Sequence, residues 1–258
     1  MKYLIALLLL ASCTNNETPE QPTPVASPAA TEAPVVYTPG AGPKVGAKFL
    51  IHTGDVSEIT MKVDAYFIDL DSDIKGHEKL PWVGAYMSVG SAEKWREDYD
   101  ALSCCKLSKM KGWSGEYWLD IRKPEVLEVM KKRIDKMKSL GMKGFYSDNS
   151  DVMNHEDIIK KDDNIKYLKA IADYAHSKGM VMFMNNGLEM IKDTVGTFDG
   201  YINEQCAEYN ECKMYEPVAG KYPIFHIEYS SKYCKPVSGH TVMLASGLGQ
   251  EKFEKWCE

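Results

Sequence analysis

No apolar run in this 258-residue chain is long enough to cross a bilayer. The run at residues 3–10 falls far short of the ~20 residues a spanning helix needs. There is no Gly-x-Gly-x-x-Gly turn, so a dinucleotide-binding version of an α/β fold has no support. Cys-x-x-Cys is not repeated and no histidine stands at ligand spacing, which argues against zinc. Positive charge is not in excess either. Against 37 Asp and Glu there are 31 Lys and Arg, a net charge of -6, and the lysines are scattered. Nucleic acid is therefore not an expected partner. Beyond residue 47 no second low-complexity stretch divides the chain, so a single domain is expected there.

What is present begins with an export signal. Lys2 is a short basic segment, residues 3–10 an apolar one, and Leu10-Ala11-Ser12-Cys13 looks like a bacterial lipobox. The expectation is a signal peptide over 1–12, lipidation of Cys13, and anchoring to the cell envelope, at the outer membrane where there is one. An ordinary secretory signal is the alternative. Residues 13–47 read as a disordered tether. Seven of the chain's 12 prolines lie there among Thr, Ala, Glu and Asn, with no apolar period to build a core. Setting Cys13 aside leaves Cys104, Cys105, Cys206, Cys212, Cys234 and Cys257. An even remainder in an oxidising compartment suggests up to three disulfides. Cys206 with Cys212 is the first expected pair, since that short loop would brace the backbone beside Glu204.

Over 48–258 short apolar runs alternate with helical periods. Strands are expected at 48–53, 65–70, 82–89, 144–148, 180–185, 200–205, 224–229 and 241–245. Helices are expected at 124–140, where Pro124 opens the first turn and Gly141 stops the last, and at 158–177. Continuously apolar strands suit a parallel sheet buried on both faces. Eight of them with helical crossovers predict an α/β fold, a small single-domain (β/α)8 TIM-type barrel. A doubly wound open sheet is the other architecture this pattern allows.

In such a barrel the site lies at the carboxyl ends of the strands. Asp69 and Asp71 follow the second strand, Asp148 and Asp151 the fourth, Glu204 the sixth, and Glu228 closes the seventh. Asp148 and Glu204 carry the sharpest implication. Each ends an apolar strand in a carboxylate, and two carboxylates on one rim are what glycosidic bond cleavage needs. Asp69-Leu70-Asp71-Ser72-Asp73 has the start of a calcium loop, but Ile74 and Leu80 stand where Gly and Glu are required, so no metal is expected. A Cys206-based nucleophilic site is also disfavoured, because no histidine is placed by the sequence to activate it. His52 and His226 are read as strand residues with structural or substrate-contact roles.

Several stretches resemble glycoside hydrolase family 114, the endo-α-1,4-polygalactosaminidase-like barrels. They are Tyr66-Phe67-Ile68-Asp69-Leu70-Asp71, the run from Gly84 to Arg96, the run from Gly112 to Arg122, Asn203-Glu204-Gln205-Cys206 with Glu208 to Cys212, and Ile227-Glu228-Tyr229. The resemblance spans about 48 to 245 in order. It implies Asp148 as nucleophile and Glu204 as general acid/base in a retaining double displacement, with no cofactor. The implied substrate is α-1,4-linked galactosamine-rich polysaccharide, cut internally. For a cationic polymer, Asp69, Asp71, Asp151 and Glu228 would supply negative charge. Tyr86, Trp113 and Tyr229 would offer faces to sugar rings, with Tyr146, Asn149 and Asn186 completing the binding set. A monomer is expected. The alternative reading is a non-catalytic or altered-specificity polysaccharide-binding surface lipoprotein.

Two positions depart from the family pattern. Its fourth strand usually reads Glu-Pro-Asp-Asn where this chain has Tyr146-Ser147-Asp148-Asn149, and its fifth usually ends Lys-Asn where this chain has Asn185-Asn186. Tyr146 and Asn185 are therefore expected to replace an ion pair by a neutral contact with each other.

Overall fold

Eight parallel strands wind into a barrel in the computed structural model, which describes residues 41–246 and 253–258. They are β1 (Phe49–His52), β2 (Ala65–Ile68), β3 (Val83–Ser88), β7 (Gly144–Asp148), β8 (Val181–Asn185), β9 (Gly200–Glu204), β10 (Ile224–Glu228) and β11 (Thr241–Ala245). These are the eight expected from the sequence. Between β3 and β7 the chain makes an excursion of β4 (Ser91–Glu93), β5 (Lys106–Lys109) and β6 (Glu116–Leu119), a separate antiparallel sheet in the order β4-β6-β5. A last strand, β12 (Phe253–Trp256), pairs antiparallel with β11. Trp256 brings its ring edge-on to Phe49 of β1, centroids 5.9 Å apart, so the nine-stranded sheet nearly closes.

The strand period decides what fills the barrel. One face of the strands sends Phe49, Phe67, Trp82, Tyr146, Phe183, Phe225 and Met243 inward as a single cluster. Phe183 stacks on Phe225 at 5.5 Å, Phe225 on Phe49 at 4.4 Å, and Phe67 stands edge-on to Phe183 and Tyr146. Each such ring contributes roughly 1.5–3 kcal/mol by leaving water. Rings this large fit because Gly200 faces the same interior. A Cβ there would lie 2.1 Å from the Phe183 ring.

The opposite face of the strands packs under the crossovers. Of these only two are full helices, α1 (Pro124–Ser139) and α2 (Lys161–Ser177). Val126, Val129, Met130, Ile134 and Met137 form the buried stripe of α1, and Tyr167, Leu168, Ile171, Ala172 and Ala175 that of α2. Asp163 caps α2 by accepting from the Lys160 backbone N–H at 3.0 Å. Four other crossovers shrink to 3-10 turns at Val56–Glu58, His77–Lys79, Leu188–Asp193 and Cys212–Tyr215, and the β10–β11 connection has no helical turn.

Two disulfides form, Cys206–Cys212 as expected and Cys234–Cys257, which ties the chain beyond β12 to the loop before β11. Cys104 and Cys105 are free, so the six cysteines give two bridges and not three. The expected signal peptide, the lipidated Cys13 and the tether as far as residue 40 lie outside the described residues. Among the described residues no helix is long and apolar enough to cross a membrane.

Candidate active site

Where the inward face of each strand reaches the carboxyl rim, its residues turn polar. On β7 the inward series runs Gly144, Tyr146, Asp148; on β8, Val181, Phe183, Asn185; on β9, Ile202, Glu204. The same parity carries β3 to Tyr86 and, just past β10, reaches Tyr229. The next residue after each of β7, β8 and β9 is left-handed: Asn149 at φ 54°, Asn186 at φ 50°, Gln205 at φ 66°. Asn tolerates this region because its short side chain bonds locally, Gln less readily. Here the Asn186 side chain secures the turn, accepting from the Glu204 N–H at 3.0 Å and from Asn203 Nδ2 at 3.2 Å.

Asp148 and Glu204 share one donor. Asn185 Nδ2 lies 2.9 Å from Asp148 Oδ1 and 3.3 Å from Glu204 Oε1. Tyr86 donates to Asp148 Oδ2 at 3.0 Å, and Tyr229 donates to Glu204 Oε2 at 2.7 Å. Asn149 Nδ2 reaches Asp148 only at 3.5 Å and bonds Ser88 Oγ at 2.9 Å instead. Burial, then the charges of Asp148 and Glu93, push the Tyr86 hydroxyl far above its ordinary pKa, so it stays a donor.

The small antiparallel sheet overhangs this rim and brings in a second group of acids. Arg96, just beyond β4, binds Asp69 through two nitrogens (2.5 and 2.9 Å), Asp71 at 2.8 Å and Glu93 at 2.7 Å. Burial opposes the guanidinium charge, but hydrogen bonding to Asp69 and the Glu93 charge raise its pKa further still. Glu93 itself is pushed up by burial despite Arg96. Opposite Glu93 in the β4–β6 register stands Glu116, buried, with Ser91 Oγ at 3.3 Å as its side-chain partner. Burial first, and the Glu93 charge second, raise Glu116 to about 7.

An open cleft runs beneath the overhang and has two arms that meet at Asp148. One arm, about 1060 Å³, is walled by Trp113, Trp118, Asp151, His155 and Asn185; the other, about 1240 Å³, by Asp69, Tyr86, Trp95, Arg96, Glu116 and Glu204. Trp95 and Trp113 are half exposed on its walls. Gly90, in the β3–β4 turn, lets the overhang approach closely. A Cβ there would strike the Asn149 carbonyl oxygen at 2.0 Å, next to Asp148.

Residues 28–258 match the family model for glycoside-hydrolase family GH114. This chain belongs to that family. The GH114 enzyme is a glycoside hydrolase, and its fold recurs in solved structures. Ega3 of Aspergillus fumigatus, crystallised in complex with galactosamine, is 26% identical with a TM-score of 0.76, over 83% of this chain and 96% of that one. The glycoside hydrolase domain of PelA from Pseudomonas aeruginosa is 15% identical with a TM-score of 0.60, over 79% of this chain and 94% of that one, and shares the fold. A comparison with curated proteins finds no match.

Most residues singled out from the sequence converge on the cleft of this GH114 chain, but not all. Asp148, Glu204, Tyr86, Tyr146, Trp113, Asn149, Asp151 and Asn186 line it, and Tyr229 bonds Glu204. Glu228 does not. It lies on the opposite strand face from Tyr229, fully buried, accepting from the Ala207 N–H at 2.9 Å and paired with His226 at 2.6 Å. Its work is to brace the loop behind Glu204. Asp69 and Asp71 share a single guanidinium, that of Arg96, with Glu93, so three carboxylates meet one cation and the cluster keeps negative charge beside the cleft. Tyr146 and Asn185 do not hydrogen-bond each other: Asn185 turns its amide nitrogen to the two acids, its Oδ1 has no partner, and Tyr146 packs edge-on to Phe67 and Tyr86. The structure does bring a histidine to Cys206, with His226 Nε2 3.5 Å from the sulfur, but the disulfide removes the thiol. Arg96, Glu93, Glu116, Trp95 and the direct role of Asn185 were not anticipated. Glu93, Arg96 and Glu116 lay inside the motifs that carried the family resemblance, which was the available signal.

Proposed function

We propose that this enzyme cleaves α-1,4-linked galactosamine-rich polysaccharide internally, with retention of configuration, using Asp148 as nucleophile and Glu204 as general acid/base. The observation that carries the reading is the single Asn185 amide shared by both carboxylates. The two N–H bonds of a primary amide diverge by about 120°, so the oxygens they reach stand about 5 Å apart. That spacing suits a retaining pair, at about 5–5.5 Å, better than an inverting pair at roughly 6.5–9.5 Å.

In the first step an Asp148 oxygen bonds to the anomeric carbon as the glycosidic C–O bond breaks, and Glu204 gives its proton to the departing oxygen. In the second, Glu204 takes a proton from water, whose oxygen displaces Asp148 and restores the free carboxylate. The neighbours serve both steps. Asn185 and Tyr86 direct neutral donors at Asp148, which stabilises the carboxylate as nucleophile and leaving group without cancelling its charge. The Tyr229 hydroxyl can donate to Glu204 when it is ionised and turn to accept when it is protonated. Cleft arms on both sides of Asp148 support cleavage within a chain, because each can hold sugars of the same polymer. The galactosamine in the Ega3 complex supports the amino-sugar substrate. Export fits the same reading, since Cys206–Cys212 and Cys234–Cys257 favour an oxidising compartment.

The test is incubation of the enzyme with partly deacetylated polygalactosamine, with released oligosaccharides and their anomeric configuration followed by mass spectrometry and NMR. Internal cleavage with α-anomers formed first, abolished in Asp148→Asn and Glu204→Gln, is the expected result. Initial β-anomers would overturn the assigned roles.

A further inference from the structure

We infer that Glu116 is the residue that recognises substrate amine, its carboxylate pairing with the ammonium group of a galactosamine unit lying in the cleft. This rests on the amino-sugar reading above and names the group that reads it.

The argument starts from the acids around the cleft and what each one meets. Asp69, Asp71 and Glu93 converge on Arg96. Asp151 has His155 at 3.8 Å and Asn154. Asp148 and Glu204 are held by neutral donors and are committed to bond cleavage. That leaves Glu116. It is 5% exposed, it lines the same arm as Asp148 and Glu204, and among the described residues only a serine hydroxyl reaches its carboxylate at hydrogen-bond distance. A carboxylate withdrawn from water beside another acid, with Arg96 acting on it only from beyond contact distance, is costly unless something else supplies the charge. A protonated amine arriving through the cleft would supply it. The tendency of Glu116 to hold a proton until about neutral pH is the response expected of such a group while no cation is bound.

Two further features fit a sugar at this place. Trp113, three residues before Glu116 on the same hairpin, is 53% exposed on the cleft wall and offers a ring face. Asn185 Oδ1, buried beside the other arm, has no hydrogen-bond partner among the described residues. Once acetylated, the nitrogen loses its charge and gains bulk, so Glu116 should discriminate against N-acetylated units.

The experiment measures kcat/KM on fully deacetylated and on N-acetylated oligogalactosamine for wild type, Glu116→Gln and Glu116→Asp, with thermal unfolding as a fold control. Calorimetric binding of deacetylated oligomer to the same proteins accompanies it. Glu116→Gln should lower the preference for deacetylated substrate by about 10–100-fold, mostly through KM, as expected for one charged hydrogen bond. Glu116→Asp, which keeps the charge, should recover part of that preference. Equal losses on both substrates, or none, with wild type active on galactosaminides, would overturn the role of Glu116 and leave the proposed function standing. Turnover of a different glycan with no binding of the cationic oligomer would overturn both.

Discussion

Two halves of the same rim carry carboxylates at similar density and treat them in opposite ways. Over β2 and β3, three acids close around Arg96, so charge meets charge and the cluster fixes the overhanging sheet to the barrel. Over β7, β8 and β9, Asp148 and Glu204 are met by an amide and by phenolic hydroxyls. A carboxylate whose oxygens are taken up by a guanidinium is fixed in place and is not free to approach carbon. One held by neutral donors keeps its charge and can still form a bond. Under the proposed mechanism the first half serves position and the second reaction.

The sharpest way to break this contrast is to neutralise the second half. Asp148→Asn and Glu204→Gln should each reduce turnover by about 10³-fold or more while thermal unfolding stays nearly unchanged, consistent with nucleophilic and acid/base roles. Retention of a tenth of the activity in Asp148→Asn would end the assignment. Next comes the first half. Arg96→Met leaves three partly buried acids uncompensated and should cost about 3–5 kcal/mol of stability, read by urea denaturation. A loss below about 1 kcal/mol would mean the cluster is not structural. Asn185→Leu should then lower kcat by about 10–100-fold with little change in unfolding, as it removes one donor shared between two charges. A loss confined to KM would place Asn185 in binding alone.

The smallest effect concerns pH. Glu116 in the folded chain is raised from an ordinary 4.5 to about 7 by burial and by Glu93. Between those values the folded state binds more protons than the unfolded one, so stability falls as pH rises through that window and is highest below it. Glu116→Gln removes the dependence. The stability of wild type relative to this variant should decline by about 1 kcal/mol from pH 4.5 to pH 7.5, after allowance for solvent in the cleft. A relative stability that rises over this range would contradict the burial argument.

The barrel strands and the two acids were legible because both follow from local pattern. Runs such as Met180 to Asn185 and Tyr201 to Gln205 pass from apolar to polar at one end, and a parallel strand buried on both faces leaves little else for such a run to be. The overhanging sheet was hidden because its strands are three or four residues long and mostly polar, as in Lys106–Lys109, so no period could emerge. β12 was hidden for the same reason, with Glu254 and Lys255 in its middle. Glu228 was misread although parity was available. In sequence it is simply an acid at a strand end, yet the inward face of β10 runs through Phe225 and Ile227 to Tyr229, which turns Glu228 outward beneath the Cys206–Cys212 loop.

The chain by itself determined the strand and helix periods, the side of each strand that would be apolar, and the acids that would sit at the rim. Those depend on neighbours within a few residues. Which carboxylates would meet a guanidinium and which an amide or a phenol was decided only when the chain closed. Arg96 lies 27 residues from Asp69 in sequence, and Asn185 lies 37 from Asp148. A carboxylate's reactivity depends on the charge and hydrogen bonds within a few ångströms of its oxygens, and here those arrive from strands distant in sequence.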